Sequence, residues 1–469
     1  MIRVLFILIV FGFVTQQNAY GNTTRVDNPP HIQLQINGFK NDYVKLIAFY
    51  GEQRYTADSA MADETGKAIF QKDSAYLTGM YFIQFPDKKN VQMLIDREQQ
   101  FSMSFDKENP VGTMIVSNSL DNELLYKNLK YEATITPKFD SIQRVLDKLN
   151  KDDVAYIQTE KEKEKILALR KAHIQWFADH YPNAFFTRFK ILGQNAEIKF
   201  PKLPDGSIDI PLQTYYFLND YWKDYDFTDE RMLYTAVYYN KLKKYIALVP
   251  QNLDSLIKYG DAVIDLSKAN KKMFEFTAIW IAMQYVQPKT MGLEAYYVHV
   301  IEKYWTYDQI TWEEPYEVDR LRAQVKLIKT SLLGNTAQDV KGINEYDKPV
   351  SIYDIKAPFT VVYLFSYDCG KCKKETPNLV AFYNEWKDKG VEVFTICMDG
   401  DTSAWKQYLL KNNMSFHNIF DPMNTTDFLS KYYVDITPEI YVLNKDHKII
   451  GNNINSSQIP SVIEHELSK

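Results

Sequence analysis

Seven consecutive residues, Phe359-Thr360-Val361-Val362-Tyr363-Leu364-Phe365, are almost wholly apolar, and Cys369-Gly370-Lys371-Cys372 follows after a short polar break. An apolar run of this length reads as a strand covered on both faces, because a half-exposed strand would alternate. A helical pattern then reaches Gly390, a second apolar strand runs from Val391 to Met398, and another helical segment lies near Ser403 to Asn412. Strands alternating with helices imply a parallel sheet core with covering helices. Ile440 to Leu443 and Lys448 to Ile450 read as a hairpin, and Ile459 to Leu467 as a closing helix. Residues 333–469 are therefore expected to form an α/β domain.

Upstream the periodicity changes twice. Over 28–118 apolar and polar residues alternate at period two, as in Ile32-Gln33-Leu34-Gln35-Ile36 and Phe101-Ser102-Met103-Ser104-Phe105, with turn signals at Asn37-Gly38, Thr65-Gly66 and Pro86-Asp87. This predicts an antiparallel, sandwich-like β domain. Over 119–332 helix formers dominate, broken at Tyr181-Pro182-Asn183, Pro201 to Pro211 and Val249-Pro250, which predicts an all-α domain. The charged run Glu160 to Lys165 reads as a solvated helix face, and the aromatics of Tyr215 to Tyr225 and Tyr296 to Tyr307 as helix-packing side chains.

Composition removes several function classes. A net charge of −5 gives no clustered basic surface for nucleic acid. The seven histidines are scattered without ligand spacing, so no metal site is expected, and no Gly-rich phosphate loop or G-x-S-x-G turn occurs. Arg3, the apolar run Val4 to Val14 and Ala19-Tyr20-Gly21 read as a cleaved secretory signal over 1–21, hence a periplasmic protein; an uncleaved signal would leave it membrane-anchored. Three cysteines are too few for a disulfide framework, and two of them form one C-x-x-C, whose short loop gains little stability from closure.

The chemistry of that pair follows from its setting. Cys369 lies between strand and helix, where free backbone N–H groups favour a thiolate, and Lys371 adds positive charge with Lys373 and Lys374 behind it. Cys369 is thus the expected nucleophile. Cys372, one turn further along the same helix face, is placed to resolve the mixed disulfide. The third cysteine, Cys397, reads as a buried small hydrophobe within its strand.

Leu333-Gly334-Asn335, the strand Val361 to Phe365, the motif C-G-K-C-K-K-E-T-P, Asp421-Pro422 and Asp435-Ile436-Thr437-Pro438 together resemble the TlpA/ResA-like branch of thioredoxin-fold proteins, over residues 333–469. The resemblance implies that Pro438 is cis and faces the cysteines, with Thr437 backbone groups free to hold an extended substrate. It also implies that Glu375 exchanges a proton with Cys372, and that Pro377 kinks the active-site helix. Glu375 is equally spaced for an ordinary ion pair with Lys371. Tyr367-Asp368 replaces the tryptophan common before the first cysteine, Gln338 stands where proline is usual, and Tyr363 occupies the position of a buried aspartate in ordinary thioredoxins. A peroxiredoxin site is excluded because Cys369 lacks the upstream proline and threonine spacing.

The expectation is a multidomain chain with an N-terminal antiparallel β domain, a central all-α domain and a C-terminal α/β thioredoxin-like fold. It is an exported thiol-disulfide oxidoreductase acting through the motif Cys369, Gly370, Lys371 and Cys372, with no cofactor beyond its own redox-active disulfide. Its partners are disulfide-containing exported proteins and a membrane thiol reductant, and Lys371 moves its potential toward the oxidising side. The contrasting expectation is a non-enzymatic envelope-binding protein whose thioredoxin-like domain is redox-silent.

Overall fold

The computed structural model describes residues 29–469; the predicted signal segment lies outside them. The described residues gather into two compact units. One runs through Val249 and takes in Asp265–Phe274, and the other comprises Pro250–Ile264 and Glu275–Lys469.

In the first unit, eight strands build two four-stranded sheets. Strands β1 (His31–Asn37), β2 (Asp42–Tyr50), β3 (Gln53–Ala62), β4 (Lys67–Gln71), β5 (Gly79–Gln84), β6 (Asn90–Ile95), β7 (Gln100–Asp106) and β8 (Ile115–Ser117) are ordered β4-β1-β7-β8 and β3-β2-β5-β6. Alternation places Ile32, Leu34 and Ile36 of β1 and Phe101, Met103 and Phe105 of β7 inward. Neighbours are antiparallel except β1 and β7, which pair in parallel from His31↔Gln100 to Asn37↔Asp106. Period-two alternation sets which face of a strand is buried but not its neighbour, so this pairing has no sequence signature.

The helical stretch 119–332 does not group as one body. Helices Leu120–Leu146, Val154–His180, Phe185–Leu192, Ile210–Asp220 and Ala236–Leu248 belong with the strands, whereas Glu294–Tyr304 and Pro315–Thr330 belong with the C-terminal sheet. Specific polar ties occur within each group. Buried Asn122 accepts from the Leu94 N–H at 2.8 Å and donates to the Leu94 carbonyl at 2.7 Å, which completes the edge of β6. On the other side the Ser331 hydroxyl accepts from the Tyr433 N–H at 2.8 Å, and Gln324 donates to the Tyr433 hydroxyl at 2.8 Å. Of the dense aromatics, Tyr221, Trp222, Tyr225, Tyr296, Tyr297, Tyr304 and Trp305 are buried, while Tyr215 and Tyr307 are exposed. Helix Val154–His180 buries Ile166 and Phe177, leaving its charged run in solvent.

The C-terminal sheet has five strands in the order β13-β12-β11-β14-β15, where β11 is Phe359–Phe365, β12 Val391–Cys397, β13 His417–Phe420, β14 Glu439–Asn444 and β15 Ile449–Gly451. A small hairpin of β9 (Lys341–Ile343) and β10 (Pro349–Ser351) precedes it. Strand β11 is parallel to β12, β12 is parallel to β13, and β14 and β15 are antiparallel to their neighbours. Every residue of β11 is buried. Val361, Tyr363 and Phe365 face one core with Cys372 and Leu379 of helix Gly370–Trp386 and Ile459 and Ile463 of helix Ile459–Leu467. Val362 and Leu364 face a second core with Ile419, Phe428, Tyr432 and Tyr441. Each such side chain stabilises the fold by about 1.5–3 kcal/mol through burial. Among the described residues no helix is long and apolar enough to cross a membrane.

Candidate active site

The cysteine pair sits where β11 ends and its helix begins. Ser366 shapes the turn: its hydroxyl donates to Asp399 at 2.8 Å and accepts from the N–H groups of Asp368 and Cys369, each at 3.2 Å. The Tyr367 hydroxyl accepts from the Asp401 N–H at 3.1 Å. These bonds pin the backbone so that Cys369 becomes the N-cap residue of helix Gly370–Trp386, and its sulfur accepts from the Cys372 N–H at 3.4 Å. Pro377 lies inside that helix.

The two sulfurs occupy opposite environments. Cys369 is half-buried at the surface, whereas Cys372 is wholly buried. Burial would raise the Cys369 thiol. Hydrogen bonding with the side chains of Thr437 and Cys372, and with the N–H groups of Cys372 and Lys371, outweighs it and holds the thiol below its ordinary value. For Cys372 burial dominates and pushes the thiol up to about 12, with only partial relief from the Ser366 amide. All three cysteines are free thiols, and Cys397 is buried and likewise raised to about 12, first by burial.

Thr437 serves both charge states of Cys369. Its carbonyl oxygen accepts from the thiol at 3.2 Å, which favours the protonated form, while its side chain favours the thiolate. The Thr437-Pro438 peptide bond is cis, and the pair lies beside Cys369. In the dithiol form, therefore, the Thr437 carbonyl is engaged by the cysteine rather than open to a substrate strand.

Other sequence expectations land differently. Lys371 is exposed and contributes to Cys369 through its backbone amide, while the Lys373 ammonium lies 3.8 Å from Asp368. Glu375 pairs with neither Cys372 nor Lys371 directly; its carboxylate accepts from the Ser456 N–H at 2.6 Å, where a short 3-10 turn precedes the last helix. Gly370 is the first helical residue, and a side chain there would meet open space. Tyr363 faces the helix carrying the cysteines, and its hydroxyl is 3.0 Å from that of Thr376. Sequence reading did not single out Ser366, Thr376, Tyr408 or Ser456. Thr376 alone had a signal, since it follows Cys372 by one helical turn on the same face.

A parallel-cored sheet whose first buried strand delivers a surface cysteine to a helix N-terminus, with a buried partner one turn on and a cis proline opposite, defines a thioredoxin-like thiol-disulfide oxidoreductase. Residues 333–451 match the AhpC/TSA family, and residues 157–331 match a domain of unknown function (DUF5106). The chain is 25% identical to the thiol-disulfide oxidoreductase ResA of Bacillus cereus over 122 residues, 26% of this chain and 69% of that protein. The ResA of Bacillus anthracis matches to the same extent. A thioredoxin-like protein from Bacteroides caccae is 18% identical with a TM-score of 0.49, covering 58% of this chain and 100% of that one.

Proposed function

We propose that this protein is exported to the periplasm and there reduces or exchanges disulfides of other exported proteins. Cys369 attacks the substrate disulfide, the substrate's first sulfur leaves with a proton, and a mixed disulfide remains on Cys369. Its sulfur then no longer donates to the Thr437 carbonyl, so that acceptor becomes available to the bound substrate strand beside Pro438. Cys372 loses its proton, attacks the Cys369 sulfur and releases the second substrate thiol, leaving the Cys369–Cys372 disulfide. Glu375, one turn beyond Cys372 and fixed by Ser456, takes part in that proton exchange.

The reading rests on the opposed sulfur environments: one thiol is lowered and reachable, its neighbour raised to about 12 and sealed from solvent. A thiol held this way attacks first, and its partner acts only after the mixed disulfide forms. No bound cofactor is required, and a membrane-embedded thiol pair regenerates the dithiol. Because Lys371 acts on Cys369 through its backbone amide, the potential is intermediate rather than strongly oxidising. Insulin reduction tests the assignment, with the wild type expected to precipitate insulin B chains and Cys369→Ser to remain at background. Equal rates for both proteins refute it, and Cys372→Ser identifies the clients by trapping them on Cys369.

A further inference from the structure

Thr437 and Pro438 stand in an irregular segment, residues 432–438, that contains neither helix nor strand. Such a segment holds one conformation only where groups outside it satisfy its polar atoms, because no ladder does so. Here many of those groups come from the helical stretch upstream. All three polar groups of Tyr433 are bonded: its N–H donates to the Ser331 hydroxyl oxygen at 2.8 Å, its own hydroxyl accepts from the Gln324 side chain at 2.8 Å, and its carbonyl accepts from the Tyr441 hydroxyl at 2.5 Å. On either side, the Lys431 carbonyl accepts from the Thr330 hydroxyl at 3.2 Å, and the Asp435 carboxylate accepts from the Gln287 side chain at 3.1 Å. The residue after Pro438 is tied as well. Glu439 accepts from the Asn453 N–H at 3.0 Å, and the neighbouring Asn452 donates to the Ser331 carbonyl at 3.1 Å and to Glu294 at 2.6 Å. Ser331, buried at the C-terminal end of helix Pro315–Thr330, thus serves both flanks of the Thr437-Pro438 pair, one through its hydroxyl and the other through its carbonyl. The contact with Cys369 is made by Thr437, two residues past Asp435 and four past Tyr433.

We propose that Ser331, Gln324 and Gln287 are positioning residues of the oxidoreductase site. The stretch that carries them, within the region matched to the domain of unknown function, holds residues 432–438 in the shape that receives a peptide strand beside Pro438. The proposal rests on the oxidoreductase reading and gives the upstream helices a part in it. Loosening the loop costs binding of the peptide, whereas sulfur exchange at Cys369 keeps its rate once the peptide is bound.

Steady-state reduction of insulin by the full chain, with dithiothreitol as reductant, reads KM and kcat separately. Ser331→Ala and Gln324→Leu should each raise KM about five-fold, the worth of one neutral hydrogen bond, and leave kcat within about two-fold. Gln287→Ala, at an exposed residue outside the core, should raise KM about two-fold. Gln324→Glu, which accepts from the Tyr433 hydroxyl instead of donating to it, should keep the wild-type KM. Gln324→Leu combined with Tyr433→Phe should match either single variant, because all three lack the same bond. Reaction with 5,5′-dithiobis(2-nitrobenzoate), which has no peptide strand to dock, should keep the wild-type rate in every variant. An unchanged KM in Ser331→Ala, Gln324→Leu and Gln287→Ala overturns the proposal. So does a fall in kcat at constant KM, or an equal loss toward both substrates, since either marks only a loss of folded protein. A wild type that reduces insulin no faster than Cys369→Ser overturns the oxidoreductase reading, and the proposal with it.

Discussion

Replacing Thr437 by valine isolates the interaction that most directly favours a Cys369 thiolate. The substitution keeps the backbone carbonyl that accepts from the thiol and deletes the hydroxyl that stabilises the anion. A hydrogen bond to an ionised group contributes about 1.5–3 kcal/mol, and at a half-exposed sulfur water recovers part of it, so a loss near about 1.4 kcal/mol, one pH unit, is reasonable. Pulse alkylation with iodoacetamide, mapped by mass spectrometry across pH 5 to 9, measures it. In the wild type Cys369 should label first. Cys372, raised to about 12, is thiolate in about one molecule in 10^5 at pH 7, against about one in 10^2 for an ordinary thiol at 9.0. Labelling at Cys369 should therefore exceed that at Cys372 by more than about a thousand-fold, since a thiol below 9.0 ionises further still. Thr437→Val should move the Cys369 profile up by about one pH unit and slow its labelling about ten-fold at neutral pH. Similar labelling of both cysteines, or an unmoved profile in the variant, would refute the argument.

Two further outcomes concern stability. Glu439 begins β14, its carboxyl is buried and raised to about 8, chiefly by burial, and Asp435 and Glu294 add repulsion. Because its folded value lies above the unfolded one of 4.5, its contribution is complete below that value and is lost as the pH rises toward 8, on the order of 5 kcal/mol in total. Glu439→Gln should flatten this decline, so the variant's gain in Tm by calorimetry should be larger at pH 8 than at pH 5; equal shifts at both pH values count against it. Leu364→Ala empties a fully buried position in the second core and should cost about 2–5 kcal/mol by urea denaturation, without changing the Cys369 alkylation rate.

How far the fold was legible depended on the range of the interaction. Continuous apolarity from Phe359 to Phe365 announced a strand buried on both faces, as β11 is. His417–Phe420 was not anticipated as a strand, because four residues carry too little periodicity. The parallel pairing of β1 with β7 and the division of the helical stretch between two units depended on partners far apart in the chain. Within the site, the spacing of Cys369 and Cys372 and the strand before them indicated the strand-to-helix junction where Cys369 sits, while the bonds that Ser366 makes to Asp399 and to the Asp368 and Cys369 amides had no signal in the sequence.

The amino-acid sequence on its own determined the periodicities, the strand-to-helix junction and hence a sulfur placed against unpaired amides, because these are properties of neighbouring residues. Only the tertiary structure decided that Cys372 is sealed from water, that Glu375 is held by Ser456 and that Tyr408 reaches Thr376. The reason is physical: desolvation and hydrogen-bond geometry depend on which distant segments close over a group, and no local pattern encodes that closure.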